Sequence, residues 1–323
     1  PPPIETLELP YDEYTDDDLR HRVLYVEASR GCPYSCEFCL SALDEKVRNF
    51  PLEPFLSAMQ RLLDRGARHF KFVDRTFNLK LDVSTRILEF FLGQKRDDLF
   101  LHFEMVPDRF PLELRALVSR FPKGTLQFEV GIQTFDPAVS QRISRRQDLA
   151  RLEDNLRFLH GADVHVHADL IAGLPGEDLR TFAAGFDRLV ALAPSEIQLG
   201  ILKRLRGAPI SRHTNAFGMV YASRPPYEVL QTNALSFDEL QSLKRFAKTW
   251  DLVANSGNFV ETTPLLLSRG TTPFEAFSRF TAWLFEREGK TSGLSLLRLA
   301  ELLVTFLDGH GHDARQTVLR DYQ

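Results

Sequence analysis

Residues 23–39, VLYVEASRGCPYSCEFC, decide the fold that this sequence predicts. The apolar run at residues 23–28 has the composition of a β-strand, and a loop with three cysteines follows it directly. Cys32, Cys36 and Cys39 have the spacing C-x3-C-x2-C and are all the cysteines in the sequence. Thiolates this close on one loop can converge on a single inorganic centre. Three protein ligands also leave one metal position open, and substrate binds at such an opening in catalytic centres.

The pattern of a strand followed by a loop and a helix recurs along the chain. Apolar runs predict strands, and segments with helical periodicity lie between them. The predicted strands cover residues 23–28, 69–74, 101–105, 125–131, 164–171 and 196–202, and the predicted helices cover residues 52–65, 83–94, 112–120, 149–160 and 179–192. Six βα units in succession imply a parallel sheet with helices outside, either doubly wound or an open barrel.

The predicted strands are apolar on one face and polar on the other. A parallel strand buried on both sides should be apolar on both faces. Polar groups are costly to bury dry and unpaired, so the polar faces should line a wet cavity or a ligand site. We therefore predict an α/β fold, a partial (β/α)6 barrel of the TIM type with a lateral opening. The alternative is an antiparallel sheet with one solvated face, but the long connections favour crossovers. The polar-face residues are Tyr25, Glu27, Ser29, His102, Glu104, Gln127, Glu129, Gln133, His165, His167, Asp169, Glu196 and Gln198.

Composition divides the chain into three predicted parts. Residues 1–20 are rich in proline and acid, which predicts a linker or arm leading in from an upstream part. Residues 21–206 carry the βα units and form the predicted core. Residues 207–323 predict a loop followed by a helical C-terminal region, with helical patterns at residues 237–253, 273–287 and 294–307.

Composition also argues against several classes of protein. A net charge of -4 and a pI near 6.2 argue against a nucleic-acid binder that relies on bulk charge. The longest nearly apolar run, residues 294–307, is broken by Arg298 and Glu301 and is too short to span a bilayer. The odd number of clustered cysteines, with no visible signal peptide, predicts a reducing, cytoplasmic setting.

Spacing alone leaves alternatives for the cysteines open. A zinc knuckle needs a fourth ligand at a suitable distance along the chain, and the nearest later histidine, His69, lies on a different predicted element. Three free, buried thiols are the other alternative. The spacing favours an iron–sulfur cluster over both.

The residues around the cysteines resemble a known family. The C-x3-C-x2-C motif, with the aromatic residue Phe38 before the third cysteine, resembles the signature of the radical S-adenosylmethionine (radical SAM) superfamily. Residues 27–33, EASRGCP, resemble the branch that is often fused to an N-terminal cobalamin-binding domain. The resemblance covers roughly residues 20–230, through ordered matches at residues 74–77, 128–134, 169–177, 197–203 and 225–228.

The resemblance implies cofactors and assigns residues to them. Cys32, Cys36 and Cys39 would ligate three irons of a 4Fe–4S cluster, and S-adenosylmethionine would chelate the fourth iron. Reduction of the cluster would cleave the sulfonium and give a 5′-deoxyadenosyl radical that takes hydrogen from a substrate. The residues expected to bind S-adenosylmethionine are Phe38 at the adenine, Asp74 and Thr76 in place of the family's glycine-rich turn, Glu104, Glu129 and Gln133 at the ribose or amino group, Arg145 at the carboxylate, and Gly173 at the adenine.

The resemblance also implies partners and a reaction class. We expect a small-molecule substrate, an electron donor of the flavodoxin or ferredoxin type, and neither membrane nor nucleic acid. The cobalamin-associated branch typically carries out methyl transfers or rearrangements, which we expect of a full-length protein with an upstream cobalamin-binding domain. No cysteine remains for an auxiliary cluster, which argues against methylthiotransferases. The alternatives are an oxygen-independent porphyrinogen-oxidase-like activity, indicated by residues 131–134 and 173–176, and a non-catalytic zinc- or metal-binding scaffold.

Overall fold

The strands form where β-branched and aromatic residues alternate with polar ones. We describe residues 3–268, 270–309 and 314–322 of a computed structural model. The strands are β1 (Leu24–Val26), β2 (Ser29–Arg30), β3 (Arg48–Asn49), β4 (His69–Phe72), β5 (Phe100–Met105), β6 (Leu126–Gln133), β7 (His165–Ala172), β8 (Glu196–Ile201), β9 (Val220–Tyr221) and β10 (Val229–Gln231).

The main sheet has six parallel strands in the order β1-β4-β5-β6-β7-β8. Neighbouring strands of this sheet also follow one another along the chain, except that the short antiparallel pair β2–β3 lies between β1 and β4. A second short antiparallel pair, β9–β10, follows β8. Such an order winds helices onto one side and curls the sheet around the other. The structure confirms the predicted α/β fold and partial (β/α)6 barrel.

Helices follow most strands and continue beyond the barrel. They are α1 (Asp16–His21), α2 (Leu52–Asp64), α3 (Leu81–Gly93), α4 (Leu112–Val118), α5 (Pro137–Arg142), α6 (Leu149–Gly161), α7 (Leu179–Ala191), α8 (Phe237–Trp250), α9 (Thr262–Leu267), α10 (Pro273–Glu288), α11 (Leu296–Asp308) and α12 (Arg315–Tyr322). After β8 the described chain is mainly helical, although the exact limits of the three predicted parts stay predictions. Across the described ranges, none of the helices is long and apolar enough to cross a membrane.

The apolar face of the sheet packs against the helices through an aromatic stack. The Phe103 ring lies 4.4 Å from the Phe72 ring and 4.0 Å from the Phe77 ring, measured between centroids. Aromatic pairs at such distances add to the free energy gained by burying their area. The opposite face is polar, and its register places Glu129 beside both Glu104 and His167. The polar residues therefore line the concave side, as the alternation predicts.

Tyrosine hydroxyls cap the outer edge of β1. The Tyr14 hydroxyl donates to the Tyr25 carbonyl (2.9 Å) and accepts from the Tyr25 amide (3.0 Å). The Tyr11 hydroxyl makes the same two bonds to Glu27, at 3.1 and 2.8 Å. Tyr11 and Tyr14, which belong to the segment predicted as a linker or arm, therefore pack along the edge of the barrel.

The outer edge of β8 is capped in a similar way. The side-chain amide of Asn255, which follows α8, accepts from the Ile197 amide (3.1 Å) and donates to the Ile197 carbonyl (2.9 Å). An edge strand otherwise presents unpaired backbone groups. Side chains thus satisfy backbone groups at both edges of the open sheet.

Candidate functional site

The cysteine loop follows β1 at the carboxyl end of the parallel strands, where reactive groups lie in βα barrels. The β2–β3 pair closes the loop, and the Cys32 amide donates to the Asp44 carbonyl (3.0 Å). Gly31 has φ +99°, and a Cβ there would lie 2.3 Å from the Lys46 carbonyl oxygen, so only glycine fits. Cys32, Cys36 and Cys39 line one cavity of about 150 Å³.

Glu37 fixes this loop from within. Its side chain is only 3% exposed and lies between the second and third cysteines. The carboxylate accepts from the Ser144 hydroxyl (2.7 Å) and from the Arg212 guanidinium, and it lies 2.8 Å from His213 Nε2. The Glu37 backbone is also bonded on both sides, to the Ile143 carbonyl (3.0 Å) and the Ile210 amide (2.9 Å). Glu37 therefore joins the cysteine loop to two later loops.

Arg145 reaches a cysteine directly. One guanidinium nitrogen lies 3.4 Å from Cys36 Sγ, and the other donates to the Gly131 carbonyl. A Cβ on Gly131 would lie 2.5 Å from Gln133 Nε2 and 3.2 Å from the guanidinium, so the missing side chain makes room for both. The pairing of β6 with β7 also shifts register between Gly131 and Gln133, and Gln133 has φ +72°. Such a bulge redirects a side chain, and here it lies at the cavity.

Two glutamates line the same cavity from adjacent strands. The guanidinium of Arg75 lies 3.2 Å from Glu104, whose pKa is nevertheless raised, chiefly by burial. His102 Nε2 lies 3.1 Å from Glu129 and Lys71 Nζ lies 3.6 Å from it. The hydrogen bond from His102, helped by the Lys71 charge, lowers the pKa of Glu129 to about 2. Glu129 is therefore a carboxylate throughout the neutral range.

Asp169 has the opposite protonation tendency. Burial, reinforced by the charges of Glu129 and Glu104, raises the pKa of Asp169 to about 8. Its nearest basic group, His167 Nε2, lies 3.6 Å away, which is too long for a hydrogen bond. The neutral, protonated form of Asp169 is therefore favoured at pH 7, beside a charged Glu129.

The structure brings most of the predicted cofactor residues together. Besides the cysteines, the cavity is lined by Phe38, Thr76, Glu104, Glu129, Gln133 and Arg145. Tyr34 and Arg75 also line the cavity, although neither was assigned to the site from the sequence. Asp169 lines it as well, on the polar face that the alternation of β7 predicts, but it was not among the residues assigned to a cofactor.

Two predicted residues do not line the cavity. Asp74 turns back toward β1, where it accepts from the Ala28 amide (3.0 Å) and the Ser29 hydroxyl (2.6 Å). Its burial raises its pKa to about 6. Gly173, with φ +87°, faces Val229 of β10, whose side chain would lie 2.4 Å from an added Cβ. In the described structure Asp74 is therefore bonded to the segment after β1 and Gly173 packs against β10, and their roles in cofactor binding stay predictions.

Several buried polar atoms at the cavity have no hydrogen-bond partner among the described residues. Thr76 Oγ1, Gln133 Oε1, Arg145 Nε and Asp169 Oδ1 are buried without a hydrogen bond. Orphaned groups of this kind are costly unless a ligand or water satisfies them. They include donors and acceptors, so the cavity fits a ligand that carries both, as an amino acid group and a ribose do.

We predict that Asp169→Asn flattens the pH dependence of stability of the metal-free protein. A carboxyl whose pKa is raised by folding stabilises the folded state below its unfolded pKa. That contribution is lost as pH rises from about 4 toward about 8. Over this pH range the free energy of unfolding of the parent should therefore fall by up to about 1.4 kcal/mol per pH unit because of Asp169, and Asp169→Asn should abolish that fall. Urea unfolding at several pH values measures it, with the exposed Asp97→Asn as control, and parallel curves for Asp169→Asn and the parent would contradict it.

Comparison with known proteins adds two family matches. A family model described as "Radical SAM superfamily" matches residues 26–189, about half of the chain. A second, described as "Protein of unknown function (DUF4080)", matches residues 215–322.

Two curated proteins illustrate the similarity. An uncharacterized methyltransferase of Pyrococcus horikoshii, PH0819, is 34% identical over 176 residues, which is 52% of this chain and 36% of that protein. An oxygen-independent coproporphyrinogen III oxidase of Cereibacter sphaeroides is 29% identical over 98 residues, which is 29% of this chain and 21% of that protein. The chain therefore spans about a third or less of the length of these relatives.

Solved structures share the fold. The radical S-adenosylmethionine methyltransferase TsrM from Kitasatospora setae superposes with a TM-score of 0.56 at 16% identity, covering 65% of this chain and 43% of TsrM. The cobalamin-dependent S-adenosylmethionine radical enzyme OxsB superposes with a TM-score of 0.51 at 13% identity, covering 93% of this chain and 53% of OxsB. At such low sequence identities the similarity concerns the fold alone. The superposition on OxsB, which covers 93% of this chain, also includes residues after β8.

Proposed function

This chain belongs to the radical SAM superfamily, and from that premise we propose that its cysteine cavity binds a 4Fe–4S cluster and S-adenosylmethionine. The observation that carries the proposal is the single cavity lined by Cys32, Cys36 and Cys39, with orphaned polar atoms on its other walls. When bound and reduced, the cluster would supply the one electron that breaks the sulfonium C–S bond of S-adenosylmethionine, giving methionine and a 5′-deoxyadenosyl radical.

The cysteines suit a cluster better than a single ion. In the part of the chain that the structure describes, no three His, Cys, Asp or Glu side chains are placed to hold one metal ion. A zinc knuckle requires that convergence, whereas a cluster takes each thiolate at a different iron. This geometry supports the cluster over the zinc scaffold.

The chain's own residues supply binding and orientation. Arg145 is held by the Gly131 carbonyl and lies 3.4 Å from Cys36 Sγ, so it would orient that ligand cysteine. Its buried Nε has no partner among the described residues and would remain for the carboxylate of S-adenosylmethionine. Thr76 and Gln133 offer acceptors or donors to the amino acid or ribose groups. Asp169 holds a proton on its carboxyl at neutral pH, so it can donate a hydrogen bond where Glu129 cannot.

The polar concave face supports a small, polar substrate. Beside Glu129, which lines the cavity, this face presents Lys71, His102, His167 and Glu196, all partly or largely buried. Groups of both signs are present, which suits a molecule with both hydrogen-bond donors and acceptors. No residue is assigned to the hydrogen transfer itself.

We further propose that this chain takes part in a cobalamin-dependent methyl transfer. The support is the methyltransferase relative, which covers more of this chain than the coproporphyrinogen oxidase does, and the folds of TsrM and OxsB. A cobalamin-binding part outside these residues would supply the methyl group.

The test is anaerobic reconstitution with iron and sulfide, followed by reduction with dithionite in the presence of S-adenosylmethionine. We expect about four irons and four sulfides per chain, the content of one 4Fe–4S cluster, and formation of 5′-deoxyadenosine. Bound zinc without acid-labile sulfide would contradict the proposal. A porphyrinogen difference spectrum would instead favour the oxidase-like activity.

A further inference from the structure

The outer surface of the cysteine loop carries two exposed leucines. A short 3-10 helix, Leu40–Leu43, begins immediately after Cys39. The side chains of Leu40 and Leu43 are 44% and 59% exposed. A single exposed leucine is ordinary, but here two lie on one turn next to a proposed cluster ligand.

A basic segment borders these leucines. Residues 203–213, KRLRGAPISRH, contain four lysines and arginines and no acidic residue, although the chain has a net charge of -4. Leu43 Cδ1 lies 3.5 Å from the position that a Cβ on Gly207 would occupy, so the segment passes beside Leu43. The apolar turn therefore lies against the segment that carries the positive charges.

Two of the four cations are already engaged. Arg212 pairs with the buried Glu37, and the Arg204 guanidinium lies 5.1 Å from the centre of the Tyr221 ring. Lys203 and Arg206 are exposed, and within residues 3–268, 270–309 and 314–322 neither forms an ion pair. Their charges are available to a partner.

We propose that Leu40, Leu43, Lys203 and Arg206 form a docking surface for an acidic one-electron carrier protein. The proposal rests on the proposed function, because only a reducible cluster gives such a carrier an electron acceptor here. In the transfer, the reduced carrier loses one electron and the cluster gains it, and no bond forms or breaks. Opposite charge accelerates the encounter, and a small apolar patch suits the short-lived complexes that redox partners form.

The test uses reduced flavodoxin, an acidic flavoprotein, as the probe. In the reconstituted Lys203→Glu/Arg206→Glu variant, we expect the rate of cluster reduction by flavodoxin to fall about tenfold or more at low salt. The parent rate should fall with added salt, and the variant rate should depend on salt much less. Reduction by dithionite should match the parent, since this small reagent needs no docking surface.

A matched charge reversal and an apolar variant complete the design. Arg120→Glu, an exposed arginine in the loop between α4 and the amino end of β6, should leave the flavodoxin rate unchanged. Leu43→Gln should slow flavodoxin and spare dithionite. An unchanged flavodoxin rate in the double variant, or equal slowing with both reductants, would overturn the docking proposal. Failure of the parent to be reduced by dithionite would instead overturn the proposed function.

Discussion

Replacing any one of Cys32, Cys36 and Cys39 with alanine is expected to abolish 5′-deoxyadenosine formation. Each thiolate is proposed to hold a different iron, and no other cysteine exists in the sequence to replace it. The loss should exceed the roughly 100-fold effect that removal of a supporting residue can have at a metal site. The measurement is 5′-deoxyadenosine per chain under dithionite, together with iron and sulfide content.

The neighbouring Ser35→Ala is the control for these cysteine variants. Ser35 is exposed in the same loop, so its replacement should leave cluster content and activity close to the parent values. Circular dichroism should show that all the variants keep the fold, because the cysteines lie outside the main aromatic core. A cysteine variant with activity near that of Ser35→Ala would contradict the ligand assignment.

Glu37→Ala should have the second largest effect, because it releases the loop that carries the cysteines. The substitution removes the acceptor for Ser144, Arg212 and His213 from a buried position. We expect a loss of about 2 kcal/mol in the free energy of unfolding of the metal-free protein, since buried hydrogen-bonding groups lose their partner. We also expect iron to be retained at least about tenfold less well during dialysis.

Glu37→Gln separates the carboxylate from the shape of the side chain. Glutamine can still accept from Ser144 and Arg212, whereas its amide nitrogen cannot accept from His213, so the effect should be intermediate. Glu45→Ala, at an exposed acid in the same loop, should change neither iron retention nor stability. Parent-like iron retention in Glu37→Ala would show that the loop holds its cysteines without this anchor.

The fold was predictable because it depends on patterns that repeat along the chain. Alternation in residues 101–105 and 164–171 indicates both the strands and their polar face, and β5 and β7 form there. Cys32, Cys36 and Cys39 are close in sequence, so their convergence on one loop needed no tertiary information. The limits of β1 were less predictable. The apolar run predicts a strand at residues 23–28, but β1 ends at Val26, where the backbone leaves the sheet and enters the loop.

The rest of the site depends on contacts that no local pattern encodes. Glu37 meets Arg212 across 175 positions of sequence, and Arg145 meets Cys36 across 109. Asp74 lies two residues after the end of β4, and beyond the end of a strand the alternation no longer tells where a side chain points. Its turn toward Ala28 could be known only once the sheet was assembled.

The capped sheet edges have a consequence for how the chain is made. An uncapped edge can recruit a strand from another molecule and start aggregation. Synthesis proceeds from the amino terminus, so Tyr11 and Tyr14 have left the ribosome before β1 and can cover it as it emerges. Asn255 is made 54 residues after the end of β8. Until Asn255 is made, the outer edge of β8 lacks this cap, and we expect the nascent chain to be most open to edge pairing during that interval.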